Sequence, residues 1–263
     1  MMPESNDIII DVKHLKNNLG GKWVHNDVTF SVKRGEIVAI IGGSGCGKTT
    51  LLRSILQLQP PTGGDISVFG VDMKKASEKE ALSVQKRWGV MFQGGALFSS
   101  LNVFENVMYV LNEYAAVSFE SKKELAKLKI AMSGLESEAG IKYPSELSGG
   151  MKKRAALARA IALDPELIFL DEPTTGLDPK SASGLDDLIL EMRKNLGLTF
   201  VMVTHDLDTL RYVPDRVIFL GEGRVLAAES MEALQKNSHP AIQSYFSGHR
   251  GHRDNEKGEM HAE

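Results

Sequence analysis

"EIVAIIGGSGCGKTTLLRSILQL", residues 36–58, runs from an apolar, β-branched segment through four glycines into a helical pattern. Residues 36–41 predict a buried strand, and residues 49–58 predict a helix. Between them the pattern G-x-x-x-x-G-K-T falls at Gly42, Gly47, Lys48 and Thr49. Glycines allow main-chain N–H groups to turn inward on a chain of phosphates. The Lys48 ammonium reaches the β- and γ-phosphates, the Thr49 hydroxyl is placed for Mg²⁺, and the helix N-terminus adds partial positive charge.

That succession of strand, glycine turn and helix is a phosphate-binding P-loop, here Gly42, Gly43, Ser44, Gly45, Cys46, Gly47, Lys48, Thr49 and Thr50. Working outward, further short apolar runs alternate with helical patterns. "LIFL" (167–170), "TFVMV" (199–203) and "RVIFL" (216–220) are expected beside residues 36–41 in a largely parallel, buried sheet, so the fold class is α/β. "DIIIDVKHL" and "DVTFSVKRG" near the start alternate apolar with polar residues. They predict an antiparallel β-region turning at "GGK", and "GEGRVLA" predicts a terminal hairpin. From about residue 104 to 160 the pattern is helical, and Leu125, Leu128, Met132 and Leu135 predict one packed apolar stripe. Residues 247–263 hold almost no large apolar side chains and predict a flexible tail.

Composition limits the function. The 263 residues, 42% hydrophobic and 25% charged, are ordinary for a globular protein. A net charge of −3 lacks the basic excess that neutralises phosphates along DNA or RNA, so no nucleic-acid partner is expected. Cys46, the one cysteine, has no internal disulfide partner and fits a reducing cytosol. The amino terminus lacks a secretory pattern, and every apolar run is too short to cross a bilayer as a helix. A cytoplasmic protein, peripheral to a membrane at most, is expected.

"LIFLDEP" ends a predicted buried strand in Asp171 and Glu172, where α/β sheets place their ligands. Asp171 would support Mg²⁺, and Glu172 would polarise the attacking water. "SELSGGMKKRAALARAIA" (145–162) opens a helix at Ser148, Gly149 and Gly150, a second anion-binding start. Two such sites beside one P-loop suggest that the second serves the nucleotide of a partner subunit.

"GGSGCGKTT", "MFQ" (91–93), "LSGGM", "LIFLDEPTTGLD" and "VTHD", in this order, resemble the signature set of ATP-binding-cassette ATPases up to about residue 245. The resemblance implies a RecA-like P-loop NTPase domain over residues 1–246, with an inserted α-helical subdomain at about 95–160. It implies ATP and Mg²⁺ as ligands and a homodimer that sandwiches two ATP molecules. Carried over, Gln93 senses the γ-phosphate and the metal and couples to the helical region. Asp178 crosses the dimer interface, and His205 contacts the γ-phosphate. Met151 departs from the usual glutamine. The adenine-stacking aromatic is also missing at its aligned position, Leu19, leaving Trp23 nearby to stack instead.

"GALF" followed by "NVFENV", and "PSELSGGM", resemble more narrowly the ATPases of Mla-type lipid trafficking. That implies phospholipid movement between inner and outer membranes with a permease, a periplasmic MCE-class protein and, in some relatives, a small STAS-domain protein. The alternatives are a cassette for a solute such as an amino acid, and a soluble cassette ATPase of repair or translation.

Overall fold

The computed structural model describes residues 8–247. Strands β1 (Ile8–Leu19) and β2 (Lys22–Lys33) form a hairpin. Its turn is Gly20–Gly21, both at positive φ as a two-residue hairpin turn requires, and Lys22 already belongs to β2. The P-loop strand β3 (Ile37–Ile41) follows, then α1 (Lys48–Ile55), β4 (Gly63–Val68), β5 (Val71–Asp72), α2 (Glu78–Gln85) and β6 (Trp88–Met91). Three helices come next, α3 (Val103–Tyr114), α4 (Phe119–Met132) and α5 (Gly149–Ala160). The chain then alternates through β7 (Leu167–Asp171), α6 (Pro179–Leu196), β8 (Thr199–Val203), α7 (Leu207–Tyr212), β9 (Arg216–Gly221), β10 (Arg224–Glu229) and α8 (Met231–Lys236).

The ten strands lie in the order β5-β4-β1-β2-β10-β9-β3-β8-β7-β6. Strands β9, β3, β8, β7 and β6 are mutually parallel, as the apolar runs predicted. Every residue of β3, β7 and β8 is buried, because helices or the antiparallel wing cover both faces. Strands β5, β4, β1 and β2 form that antiparallel wing, and β10 joins it to the core by pairing antiparallel with β9 and parallel with β2. One apolar cluster on each side of the central sheet, together with a third beneath α3, α4 and α5, makes up the core.

Two features depart from the sequence reading. The stripe packs only in part: Leu125, Met132 and Leu135 reach the core alongside Ala126, Lys129 and Ile130, while Leu128 is 52% exposed. Helix α4 ends at Met132, so Leu135 reaches the core from the following turn rather than from the helix. The buried face of α4 also carries Lys129, whose ammonium reaches Asp164. The other departure is that β4, β5, α2 and the edge strand β6 carry little pattern of their own. In β6, a Cβ on Gly89 would lie 2.1 Å from the Ala160 carbonyl oxygen, so α5 sits directly on its backbone. The tail from residue 248 onward lies outside the described residues, although Ile242 and Phe246 just before it are buried in the core.

Candidate nucleotide site

Residues 42–47 turn sharply at the carboxyl end of β3, with φ of 152° at Gly42 and 96° at Gly47. Both positions exclude a side chain. A Cβ on Gly42 would meet the Leu220 carbonyl oxygen at 2.1 Å, and one on Gly47 would meet His25 Nε2 and Val24 Cγ1 at 2.4 Å. His25 is fully buried, which pushes its imidazole pKa down, and its Nδ1 lies 3.0 Å from Asn17 Nδ2. Strand β2 therefore supports the loop from below.

Of the eight α-helices labelled α1 to α8, seven are N-capped by a Ser, Asn or Asp side chain, from Ser77 on α2 to Ser230 on α8. Helix α1 is the exception: its N-cap is Gly47, which supplies no capping side chain. The amides of its first turn thus remain available to an anion, in line with a phosphate group. Lys48 Nζ donates to the Gly42 and Gly43 carbonyls at 2.8 and 3.3 Å, so its ammonium is folded back over the cradle. Thr49 is exposed at the helix start, and the half-buried Cys46 thiol lies 3.9 Å from Lys48 Nζ.

Asp171 ends β7 and Glu172 follows it. Burial and the adjacent Glu172 push the Asp171 carboxyl above the usual carboxylate range, while Arg53, Lys153 and Lys48 draw it down. Glu172 sits at φ 50°, a left-handed conformation unusual for a residue with a side chain and before a proline. Its N–H donates to the Val203 carbonyl at 2.8 Å, and Thr175 Oγ1 donates to its Oε2 at 3.0 Å. His205 Nδ1 lies 2.9 Å from its Oε1. The structure thus joins His205 to Glu172 directly, with the ring otherwise open to solvent. Gln93 is exposed just after β6, and its carbonyl accepts from Lys153 Nζ at 2.6 Å. The donor set of Thr49 hydroxyl, Asp171 carboxylate and Gln93 amide oxygen is all hard oxygen, which suits Mg²⁺.

Ser148 caps α5, accepting from the Met151 N–H at 3.2 Å, and Gly149 and Gly150 form the helix's first turn. Asp178 caps α6, where hydrogen bonds from Ser181 hold its carboxyl below the usual range. Ser148, Gly150, Lys180 and Asp178 line one open cleft of about 850 Å³ that includes none of residues 42–50. Trp23, 50% exposed in β2, immediately precedes Val24, whose side chain approaches Gly47, and Leu19 is exposed at the hairpin end. Sequence reasoning missed Lys153 and Thr175. The available signal for Lys153 was its helical spacing from the buried Ala156, Leu157 and Ala160.

Residues 25–175 match the family model described as ABC transporter. Over 247 residues the chain is 38% identical to the intermembrane phospholipid transport system ATP-binding protein MlaF of Escherichia coli K12, covering 94% of this chain and 91% of that one. It is 35% identical over 243 residues to a probable ribonucleotide transport ATP-binding protein, mkl, of Mycobacterium tuberculosis H37Rv, covering 92% of this chain and 67% of that one. Its fold is similar to that of the cassette MJ0796, solved as a dimer in a post-hydrolysis state with ADP and Pi. There the TM-score is 0.76 at 31% identity, over 84% of this chain and 98% of the other. On sequence, fold and the P-loop geometry together, the chain belongs to the ATP-binding cassette family of ABC transporters, and it is an ATPase of that family.

Proposed function

We propose that this chain powers phospholipid movement between inner and outer membranes. The observation carrying this is the likeness to MlaF along nearly its whole length. In this reading the cassette is a homodimer on the cytoplasmic face of the inner membrane, bound to two copies of a permease. A periplasmic MCE-class lipid-binding protein works with it, and a small STAS-domain protein is a further partner of the helical region. No helix among the described residues is long and apolar enough to cross a membrane, so the crossing is assigned to the permease.

Each ATP would lie between the loop of one copy, residues 42–50 with Lys48 on the β- and γ-phosphates, and Ser148, Gly149 and Gly150 of the second copy. The separation of the Ser148 cleft from residues 42–50 within one chain supports this division, as does the dimeric state of MJ0796. Mg²⁺, when bound, offsets the charge of the phosphates, and Thr49, Asp171 and Gln93 are the residues assigned to hold it. Glu172 orients the attacking water and takes its proton. His205 holds the Glu172 carboxylate in place and reaches the γ-phosphate, and Asp178 crosses between copies. Trp23 stacks on the adenine. ATP binding closes the dimer, and loss of the γ-phosphate lets it reopen.

Purifying the tagged protein from gently solubilised native membranes, followed by mass spectrometry of associated proteins and lipids, tests the cargo. A small permease with an MCE-class protein and enriched phospholipid is expected. A conventional permease with a solute-binding protein, or copurifying ribonucleotides without lipid, would overturn it while leaving the ATPase intact.

A further inference from the structure

Lys153 is buried in the first half of α5, 7% exposed, yet it makes no ion pair with a carboxylate side chain among the bonds the structure shows. Its ammonium instead donates to two main-chain carbonyls from different parts of the site, Gln93 O at 2.6 Å and Glu172 O at 2.7 Å. The same helix grips the loop after β6 again through Arg159, which donates to Gly95 O at 2.9 Å and Ala96 O at 2.7 Å. Glu172 needs such restraint. At φ 50° and followed by Pro173, its backbone lies in a conformation that a side-chain-bearing residue leaves when released. Val203 fixes its N–H and Thr175 and His205 contact its carboxylate, so Lys153 is the contact on its carbonyl.

We propose that Lys153 is a positioning residue: one ammonium pins the Gln93 carbonyl to the Glu172 carbonyl, so the helix opening at Ser148, the Gln93 loop and the hydrolytic carboxylate move as one unit. A cation suits the place. A charged donor makes stronger bonds to two carbonyl acceptors than a neutral one. Within a chain, displacement of the Gln93 loop is thereby transmitted to the orientation of Glu172 without any change in the phosphate cradle. This rests on the assignment of Glu172 as the water-orienting group.

Steady-state ATPase measurements on the full chain test it with Lys153→Met, Lys153→Arg and Lys153→Gln, alone and in the Glu172→Gln background. Lys153→Met should lower kcat by about 10- to 100-fold, the scale of a misplaced catalytic group, with KM for ATP changed by less than about threefold. Lys153→Arg, which keeps the charge and two donors, should restore most of kcat. Lys153→Gln, whose shorter neutral amide reaches one carbonyl at best, should not. In the Glu172→Gln background, Lys153→Met should leave the residual single-turnover rate within about twofold, because its effect runs through the missing carboxylate. Wild-type kcat in Lys153→Met, a loss appearing only in KM, or an undiminished loss in the Glu172→Gln background would each overturn the coupling. Should Lys153→Met fail to fold, the Arg and Gln variants decide by the same kcat criterion. Normal hydrolysis by Glu172→Gln alone would instead overturn the assignment of Glu172.

Discussion

Glu172 and His205 meet at 2.9 Å, so the carboxylate proposed to orient the attacking water is held by a side chain just past the end of β8. Replacing Glu172 by Gln keeps the shape and removes the basic oxygen. We expect kcat to fall by about 10²-fold or more while ATP binding persists, as a rapid-quench assay beside equilibrium binding would show. Unchanged turnover would remove Glu172 from its role. Cys46 lies within the cradle beside Lys48, where a bulky adduct would collide with bound phosphates. Alkylation should therefore abolish nucleotide binding, and MgATP should protect the thiol from the reagent. Full ATPase activity in the alkylated protein would contradict that placement. These side chains were legible from the sequence because the P-loop and the "LIFLDEP" strand are local patterns of residue type and spacing. Lys153 was not, since its meaning comes from two carbonyls 60 and 19 residues away.

At the scale of elements, the two helices whose ends meet the site depend on close contacts that no local pattern announces. Gly89 lets α5 touch the β6 backbone, and an alanine there must push the Ala160 carbonyl away. Gly89→Ala should cost about 1–3 kcal/mol, seen as a lower Tm by differential scanning calorimetry, and an unchanged Tm would count against this packing. Helix α6 carries a buried acid, Asp186, whose Oδ2 accepts from Thr209 Oγ1 at 2.9 Å while its Oδ1 has no partner. Burial pushes its carboxyl up to about 6, only partly offset by Thr209. Because the folded pKa is the raised one, the stabilisation by the proton is complete below the unfolded value near 3.8 and is lost as pH rises through about 6. Asp186→Asn should accordingly leave Tm little changed near pH 4 but raise it by roughly 2–6 °C at pH 8. Equal effects at both pH values would argue that the Asp186 charge is not what matters. Helix α4 shows the limit of pattern at this scale: Leu125 packs with Ala126 and Ile130 as an apolar stripe should, but Leu128 is exposed and the charged Lys129 is buried on an Asp164 partner.

For the whole molecule, residues 42–50 are not part of the cleft that Ser148 lines, and in the proposed arrangement a second copy completes the site. The Glu172→Gln protein should convert from monomer to dimer on adding MgATP, as size-exclusion chromatography with light scattering would register. Adding Ser148→Arg, which would fill the space proposed for the partner copy's γ-phosphate, should abolish that shift. A nucleotide-independent dimer in both would show that another surface holds the copies together. The sequence by itself determined the α/β class, the phosphate cradle, the acidic strand end and the family, because each is written in contiguous stretches whose chemistry does not depend on distant neighbours. The tertiary structure alone decided the strand order, the direct His205–Glu172 contact, the cover of β6 by α5 and the bridge through Lys153. Those depend on which backbones approach across the fold, and that is set by the packing of the sheet and helices as a whole rather than by any local pattern.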